Sequence, residues 1–256
     1  MGLTYAKSLL NAHIVEESNL MILERSNEKA ELIKELKVGT VYGEPGAYIK
    51  EADLIILAVK PQDSTILFDK IKPSIDHQQL ILSIMAGIPI SKISEQIGSK
   101  KIIRSMPNLP AQVGSGMTVY TSSEDVTRIE LVMVQNILNS TGKTIYVEDE
   151  KLIDASTAIS GSGPAYVFFY IQSLIESAQN LGFSKAQAEL LSYATFKGTV
   201  DLFKKNDFSC EEWISKVASR GGTTEAALNS YKENEVMEKL SEAYTAAFER
   251  ARELSE

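Results

Sequence analysis

The stretch from Val217 to Leu228, VASRGGTTEAAL, combines residue types that can bind a small anion. Gly221 and Gly222 can adopt backbone conformations closed to other residues, so consecutive N–H groups can converge on one ligand. One of the two threonines that follow can cap a helix beginning near Glu225, and the N-terminal end of that helix carries partial positive charge. The stretch predicts a site for a carboxylate or phosphate, and an ordinary interhelical loop is the alternative.

The first residues of the chain are similar to the end of a dinucleotide-binding motif. Such a motif runs strand, G-x-G-x-x-G, helix, with a charged selector residue about 20 residues further on. Gly2 before an apolar helix matches the last glycine, and Glu24 and Arg25 fall at the selector distance. Glu24 can accept hydrogen bonds from ribose hydroxyls, whereas Arg25 can pair with a 2′-phosphate; a solvated pair at a strand end is the third reading.

The first strand and first two glycines of this motif are not in the sequence. We therefore expect a parallel sheet that lacks its central strand and exposes an apolar edge. About 11 further residues would supply the strand and the loop. The intact mass of the protein from its own source would show whether such residues precede Met1.

Two further candidate segments follow predicted strands. Lys60-Pro61 comes directly after the apolar run ILAV, and RSMPN occupies residues 104–108. Ligands of open α/β sheets bind at the carboxyl ends of the strands, where both segments would lie. Turn chemistry that merely ends a strand is the alternative for each.

The order of the elements predicts two domains, divided after Asp149. Residues 1–149 alternate helical periodicity with short apolar runs, which is typical of an α/β domain with a largely parallel sheet of the Rossmann type. Residues 150–256 have helical periodicity almost throughout, which predicts an all-α domain. We expect strands at 20–24, 53–59, 79–85, 102–105, 117–121 and 143–149, and helices at 27–36, 124–138, 163–182, 184–205, 209–216 and 236–254.

The apolar faces of the predicted C-terminal helices are wide. In the helix that follows Pro164, one stripe includes Val167, Phe168, Ile171 and Leu174. Faces of this width predict burial against a partner subunit, and a self-contained bundle is the alternative.

Composition excludes several classes of protein. The 256 residues are 44% hydrophobic and 23% charged, as in soluble globular proteins. The net charge of −8 argues against nucleic acid or an anionic membrane as a partner. With one cysteine, Cys210, and two histidines the chain forms no intrachain disulfide and no Cys/His zinc cluster, so no metal is expected. Short apolar runs and the lack of a signal peptide favour a cytoplasmic protein that spans no membrane.

Four motifs together resemble the Δ1-pyrroline-5-carboxylate reductase family. They are AVKP at 58–61, RSMPN at 104–108, SGSGPAY at 160–166 and ASRGGTTEAAL at 218–228. Their order and spacing both match, and the resemblance covers the chain from Gly2 onward. It implies NAD(P)H-dependent reduction of pyrroline-5-carboxylate to proline. It also implies an N-terminal Rossmann domain and a C-terminal helical domain that interlocks with a second subunit, in a homodimer or a higher oligomer built of dimers.

The resemblance also implies roles for single residues. The substrate carboxylate would be held by Ser219, Gly222 and Thr223, chiefly through backbone N–H groups, and Thr224 would hydrogen-bond the ring nitrogen as the catalytic residue. Arg25 would contact the 2′-phosphate of NADP, with NAD as the alternative cofactor. The SGSGPAY motif would shape a helix break beside the substrate. The remaining cofactor-binding residues would be Gly2, Ala58, Val59, Lys60, Met106, Pro107 and Asn108.

Two features depart from the family pattern. The glycine-rich loop that cradles the pyrophosphate is not in the sequence, which bears on cofactor affinity more than on substrate binding. Glu24 stands where many relatives carry a neutral residue, which bears on the choice of NADP.

The chemistry needs few side chains, because a protonated cyclic imine is already a strong electrophile and the cofactor supplies the hydride. His13 and His77 are therefore expected to be surface residues. Two other functions stay open. One is a dimeric binding or regulatory protein without cofactor affinity. The other is a reductase of another substrate, either a different cyclic imine or a β-hydroxyacid, although the latter usually needs a catalytic lysine that residues 160–166 do not offer.

Overall fold

The computed structural model describes residues 1–255, which divide into two compact units. The first comprises Met1–Ser162 together with the chain from Ala247 onward, and the second is Gly163–Ala246. The sequence-based boundary after Asp149 stays a prediction. No helix within residues 1–255 is both long enough and apolar enough to cross a membrane.

The first unit is an α/β domain of the Rossmann type, and the second is helical. The strands are β1 (Met21–Leu23), β2 (Thr40–Tyr42), β3 (Leu54–Leu57), β4 (Leu80–Ser83), β5 (Ile102–Met106), β6 (Gly116–Ser122) and β7 (Gly142–Tyr146). The helices of the first unit are α1 (Gly2–Asn11), α2 (Asn27–Glu35), α3 (Ser64–Ile71), α4 (Ile90–Ile97), α5 (Arg128–Asn139) and α6 (Lys151–Ser156). The helices that follow are α7 (Gly163–Asn180), α8 (Lys185–Lys204), α9 (Cys210–Val217), α10 (Thr223–Glu233) and α11 (Val236–Ser255). The predicted fold class is therefore confirmed.

The strands form two sheets, in the orders β1-β2 and β3-β4-β5-β6-β7. Neighbouring strands are parallel except β5 and β6, which are antiparallel. In the strand order of dinucleotide-binding domains, the first strand lies between the strands that correspond to β1 and β3 here. The two sheets are thus separate at the position where the sequence lacks the expected strand.

The edge at β3 is apolar and incompletely covered. Its residues Leu54, Ile55 and Ile56 are half-buried, although a run of this type is usual for strands buried on both faces. In the neighbouring strand, Ile81 and Leu82 are fully buried. The exposed apolar edge expected from the sequence is therefore present.

Two apolar cores cover the faces of the sheets. One lies between β3, β4 and helices α3 and α4 and includes Phe68, Ile81 and Ile93, with Leu23 of β1 packed against it. The other joins α1 and α5 to the opposite face, through residues such as Tyr5 and Val134. Helix α1 is thereby fixed beside the five-stranded sheet, which matters because its first residues belong to the predicted cofactor site.

The second unit has almost no buried core of its own in the single chain. Across residues 163–246, all of which the structure describes, only Ala188 and Ser192 are buried. Phe169 is 70% exposed and Leu181 81% exposed. The apolar faces predicted from the sequence are therefore open in the single chain.

Candidate active site

The turn before α10 places a glycine pair at the N-terminal end of a helix that no side chain caps. Gly221 has φ +74°, in the left-handed region that favours glycine, and Gly222 is the N-cap of α10. The prediction that a threonine caps this helix is wrong: the helix begins at Thr223, because the glycine takes the cap position without a side chain. The first-turn N–H groups of α10 are therefore left without a side-chain cap, and they carry the partial positive charge of the helix end.

Two internal hydrogen bonds shape this turn. The N–H of Gly222 donates to the Ser219 carbonyl at 3.0 Å, and the N–H of Gly221 donates to the Glu225 carboxylate at 2.6 Å. A Cβ on Gly222 would lie 2.5 Å from the Ser219 Oγ, so the side chain of Ser219 occupies the space above the glycine. Ser219, Gly222, Thr223 and Thr224 thus belong to one turn at the helix end. Their roles as substrate ligands stay predictions.

Thr224 is the second residue of α10 and is half-buried. Threonine hydroxyls donate and accept hydrogen bonds at any ordinary pH, so this side chain can orient a ring nitrogen without titrating.

In the same unit, Tyr170 and Tyr244 share a hydrogen bond of 2.9 Å between their phenol oxygens. Burial, together with the hydrogen bond that the two phenols share, raises the pKa of the Tyr170 phenol to about 12, so Tyr170 stays neutral.

In the first unit, the start of α1 meets the carboxyl end of β3. A Cβ on Gly2 would lie 3.0 Å from the Cβ of Ala58, so no larger residue fits there without movement. The N-cap of α1, Met1, forms no side-chain cap, which leaves the helix N-terminus able to receive an anion. Gly2 and Ala58, predicted separately from the sequence, are therefore brought together. This close packing of helix against strand is the role of the last glycine in a dinucleotide-binding motif. The cofactor contacts of both residues stay predictions.

The selector pair is engaged in local contacts. The guanidinium of Arg25 forms two hydrogen bonds of 3.1 Å with the carboxylate of Asp63, two residues after Pro61. Glu24 accepts a hydrogen bond from the N–H of Ser26 at 2.9 Å, at the start of α2. The side chain of Arg25 is 70% exposed, so a phosphate can reach it but would compete with the carboxylate of Asp63. The sequence alone did not reveal Asp63, since the two residues are distant along the chain.

The RSMPN and SGSGPAY segments contact each other directly. Residues Thr157–Gly161 form a π-helical turn, a form that is frequent at functional sites. Its Gly161 lies close to Met106, whose Cε would be 2.8 Å from a Cβ at the glycine. The side-chain amide of Asn108 donates to the Ser160 carbonyl at 3.0 Å. The helix break implied by the sequence is thus a π-turn that contacts the last residue of β5 and the segment after it.

Of the remaining predicted cofactor residues, Ala58 and Lys60 are exposed, Val59 and Met106 are half-buried, and Pro107 is buried. Lys60 is the N-cap of the short helical turn Pro61–Asp63, whose last residue, Asp63, pairs with Arg25. Their contacts with a cofactor stay predictions.

Arg104, at the start of RSMPN, is a buried residue that forms ion pairs within the first unit. It is 1% exposed, and its guanidinium pairs with Glu150 at 2.9 Å and with Asp154 at 2.5 Å. The Ser255 hydroxyl, near the end of α11, donates to the same Asp154 carboxylate at 2.8 Å. Arg104 therefore holds α6 and the end of α11 to the sheet. The RSMPN motif gives no signal for these partners, because they lie in distant segments of the chain.

Two family models match successive parts of the chain. A family model described as pyrroline-5-carboxylate reductase dimerisation matches residues 150–254. A second, described as NADP oxidoreductase, coenzyme F420-dependent, matches residues 1–87.

Solved structures and curated relatives agree. The crystal structure of Plasmodium falciparum pyrroline carboxylate reductase with NADP bound matches with a TM-score of 0.89 and 32% identity, covering 100% of this chain and 95% of that one. The pyrroline-5-carboxylate reductase of Aquifex aeolicus is 37% identical over 210 residues, which are 81% of this chain and 77% of the relative. That of Staphylococcus saprophyticus is 32% identical over 250 residues, 96% of this chain and 92% of the relative. The chain belongs to the pyrroline-5-carboxylate reductase family.

Proposed function

We propose that this protein reduces 1-pyrroline-5-carboxylate to proline, the last step of proline biosynthesis, with NADPH as hydride donor and NADH as the alternative. In a chain of this family, one structural observation supports the proposal most: the N-terminal turn of α10 has no side-chain cap, because Gly222 stands at the N-cap position. A site of this kind binds a carboxylate through backbone N–H groups and the helix dipole.

The residues of the turn bind and orient the substrate. The first-turn N–H groups, with Ser219, hold the carboxylate and so fix which face of the ring is open to attack. The hydroxyl of Thr224 accepts a hydrogen bond from the protonated ring nitrogen. When the imine carbon gains hydride, the electron pair of the C=N bond moves to nitrogen, and the product is the secondary amine of proline.

Bound NADPH supplies that hydride. In the first unit, the helix end at Gly2 would hold the pyrophosphate, and Arg25 would hold the 2′-phosphate. Ala58, Val59 and Lys60 would line the cofactor at the carboxyl end of β3. The other predicted contacts come from Met106, the last residue of β5, and from Pro107 and the backbone of Asn108, which follow it.

We propose that the working form is a homodimer, or a higher oligomer built of dimers, in the cytoplasm. The support is the second unit, in which only Ala188 and Ser192 are buried across residues 163–246. A helical unit with so small a core needs further burial to be stable. The family model that matches residues 150–254 is a dimerisation model.

Replacing Phe169 with glutamate is expected to weaken the dimer by at least tenfold, because a charge would be buried in an apolar contact. Phe169 is chosen because it is 70% exposed in the single chain. Sedimentation equilibrium over a range of protein concentrations measures the effect, with Phe169→Leu as the matched apolar control. A dimer of unchanged affinity would place the subunit contact elsewhere.

Asp63 is expected to limit the use of NADPH, because its carboxylate engages Arg25, the candidate ligand of the 2′-phosphate. An exposed ion pair is worth about 0 to 1 kcal/mol, so Asp63→Asn should lower the KM for NADPH by up to about fivefold. The KM for NADH should stay the same. Glu31→Gln, which removes another exposed ion pair of the first unit, is the control. A raised KM for NADPH would mean that Asp63 orients Arg25 for the phosphate.

Product analysis tests the proposed reaction. The protein is incubated with NADPH and either pyrroline-5-carboxylate or its six-membered ring homologue, and the amino acid formed is identified by mass spectrometry. Proline as the preferred product supports the proposal. Preference for the larger ring would assign the enzyme to another cyclic imine. Binding of the ring without any product would favour a dimeric binding protein.

A further inference from the structure

The side chain of Asn108 connects three segments of the first unit. Its Nδ2 donates to the Ser160 carbonyl at 3.0 Å, and its Oδ1 accepts from the N–H of Met117, in β6, at 2.9 Å. Asn108 is half-buried and lies two residues after the end of β5. One amide therefore holds the π-helical turn against the strand end and the neighbouring strand.

The Ser160 carbonyl needs such a donor for a reason found in the sequence. In a regular α-helix a carbonyl accepts from the N–H four residues further on. For Ser160 that residue is Pro164, which has no N–H. The turn instead closes through a bond of 2.8 Å from the Ser162 N–H to the Thr157 carbonyl. The amide of Asn108 occupies the place of the donor that proline lacks.

The π-helical turn that Asn108 contacts lies at the end of the first unit. In chain order, Thr157–Gly161 comes directly before Ser162, where the first unit ends and α7 of the second unit begins one residue later. Met106 also borders the turn, at Gly161. Within the first unit the turn thus contacts the segment predicted to line the cofactor. Along the chain it directly precedes the helical unit that contains the substrate turn.

We propose that Asn108 is a positioning residue, whose amide replaces the missing N–H of Pro164 and fixes the π-helical turn, and that its side chain does not contact the cofactor. The kinetic part of this proposal rests on the proposed function. The structural part does not, because it concerns only the turn.

The test is a double-mutant cycle. Asn108→Asp keeps an oxygen to accept from Met117 but removes the donor to Ser160. Pro164→Ala returns a backbone N–H at the position that can donate to Ser160. We expect Asn108→Asp to lower kcat/KM by at least about tenfold, Pro164→Ala alone to change it by no more than about threefold, and the double variant to recover most of the loss.

Asn139→Asp is the matched control, since Asn139 is exposed and uses only its oxygen, as acceptor from Thr144. It should leave kcat/KM unchanged. If Asn108→Asp does not fold, Asn108→Ser takes its place in the cycle. A rise confined to the KM for NADPH, with no recovery on adding Pro164→Ala, would overturn the proposal and make the side chain a cofactor ligand.

Amide hydrogen exchange gives a readout that does not depend on activity. The Ser162 N–H reports on the turn, because it forms the bond that closes it. Exchange there should be at least about tenfold faster in Asn108→Asp and should slow again when Pro164→Ala is added. Unchanged exchange at Ser162 would overturn the proposal even in an inactive protein. Faster exchange with recovery would support it even if the reaction were a different one.

Discussion

Replacing Arg104 with methionine is expected to lower the free energy of unfolding by about 3 to 5 kcal/mol, the usual effect of removing one partner from a buried ion pair. Arg104 is 1% exposed and pairs with Glu150 and Asp154. Without it, the Asp154 carboxylate, whose side chain is 12% exposed, loses its charge partner. The Glu150 carboxylate also accepts from the Ile90 N–H, so the start of α4 depends on the same cluster.

Urea unfolding followed by circular dichroism measures this effect. Arg250→Met is the matched control, because Arg250 pairs with Glu253 at the surface, where such a pair contributes about 0 to 1 kcal/mol. Adding Asp154→Asn and Glu150→Gln to Arg104→Met should recover part of the loss, since neutral partners no longer need a buried cation. A loss below about 1 kcal/mol for Arg104→Met would show that the cluster does not stabilise the first unit.

Replacing Thr224 with alanine is expected to lower kcat by about ten- to a hundredfold. A hydrogen bond to a charged group is worth about 1.5 to 3 kcal/mol, and the ring nitrogen is charged until the hydride arrives. The fold should not change, because Thr224 is only half-buried and Gly222, not a threonine, caps α10. The KM for substrate should change less than kcat, since the backbone N–H groups that hold the carboxylate remain.

Two controls make the Thr224 result specific. Thr224→Ser keeps the hydroxyl and should retain most of the activity. Thr223→Ala removes the neighbouring side chain, whose predicted role is carried by its backbone N–H, and should have the smaller effect on kcat. Thr224→Ala with the kinetics of the wild type, in a correctly folded dimer, would remove Thr224 from the site.

Much of the fold follows from local patterns in the sequence. The apolar run at 53–59 predicts the strand observed as β3 (Leu54–Leu57). The pattern at 184–205 predicts α8 (Lys185–Lys204), which in the structure begins with a capping box of Ser184 and Gln187. The strand Thr40–Tyr42 was not predicted, because it is only three residues long and its pairing with β1 is not a local property.

The candidate site was predictable in part. The glycines of the substrate turn and Gly2 are recognisable because close backbone approach allows few other residues. The pairings of Arg25 with Asp63, of Arg104 with Glu150 and of Asn108 with Ser160 were not recognisable, since the two residues of each pair lie at least 38 positions apart along the chain. The helix break at 157–161 is marked in the sequence by Gly161, Gly163 and Pro164. We infer that its π-helical form depends on a donor from another segment.

Transfer of isotope from the cofactor distinguishes reduction of pyrroline-5-carboxylate by this protein from binding alone. NADPH carrying deuterium at C4 of the nicotinamide, on the face that is transferred, is incubated with the protein and pyrroline-5-carboxylate, and the proline formed is examined by NMR. Reduction by hydride transfer predicts one deuterium at the former imine carbon, on a single face of the ring, at a rate lowered by Thr224→Ala. Absence of deuterated proline from the folded wild-type dimer would contradict the account.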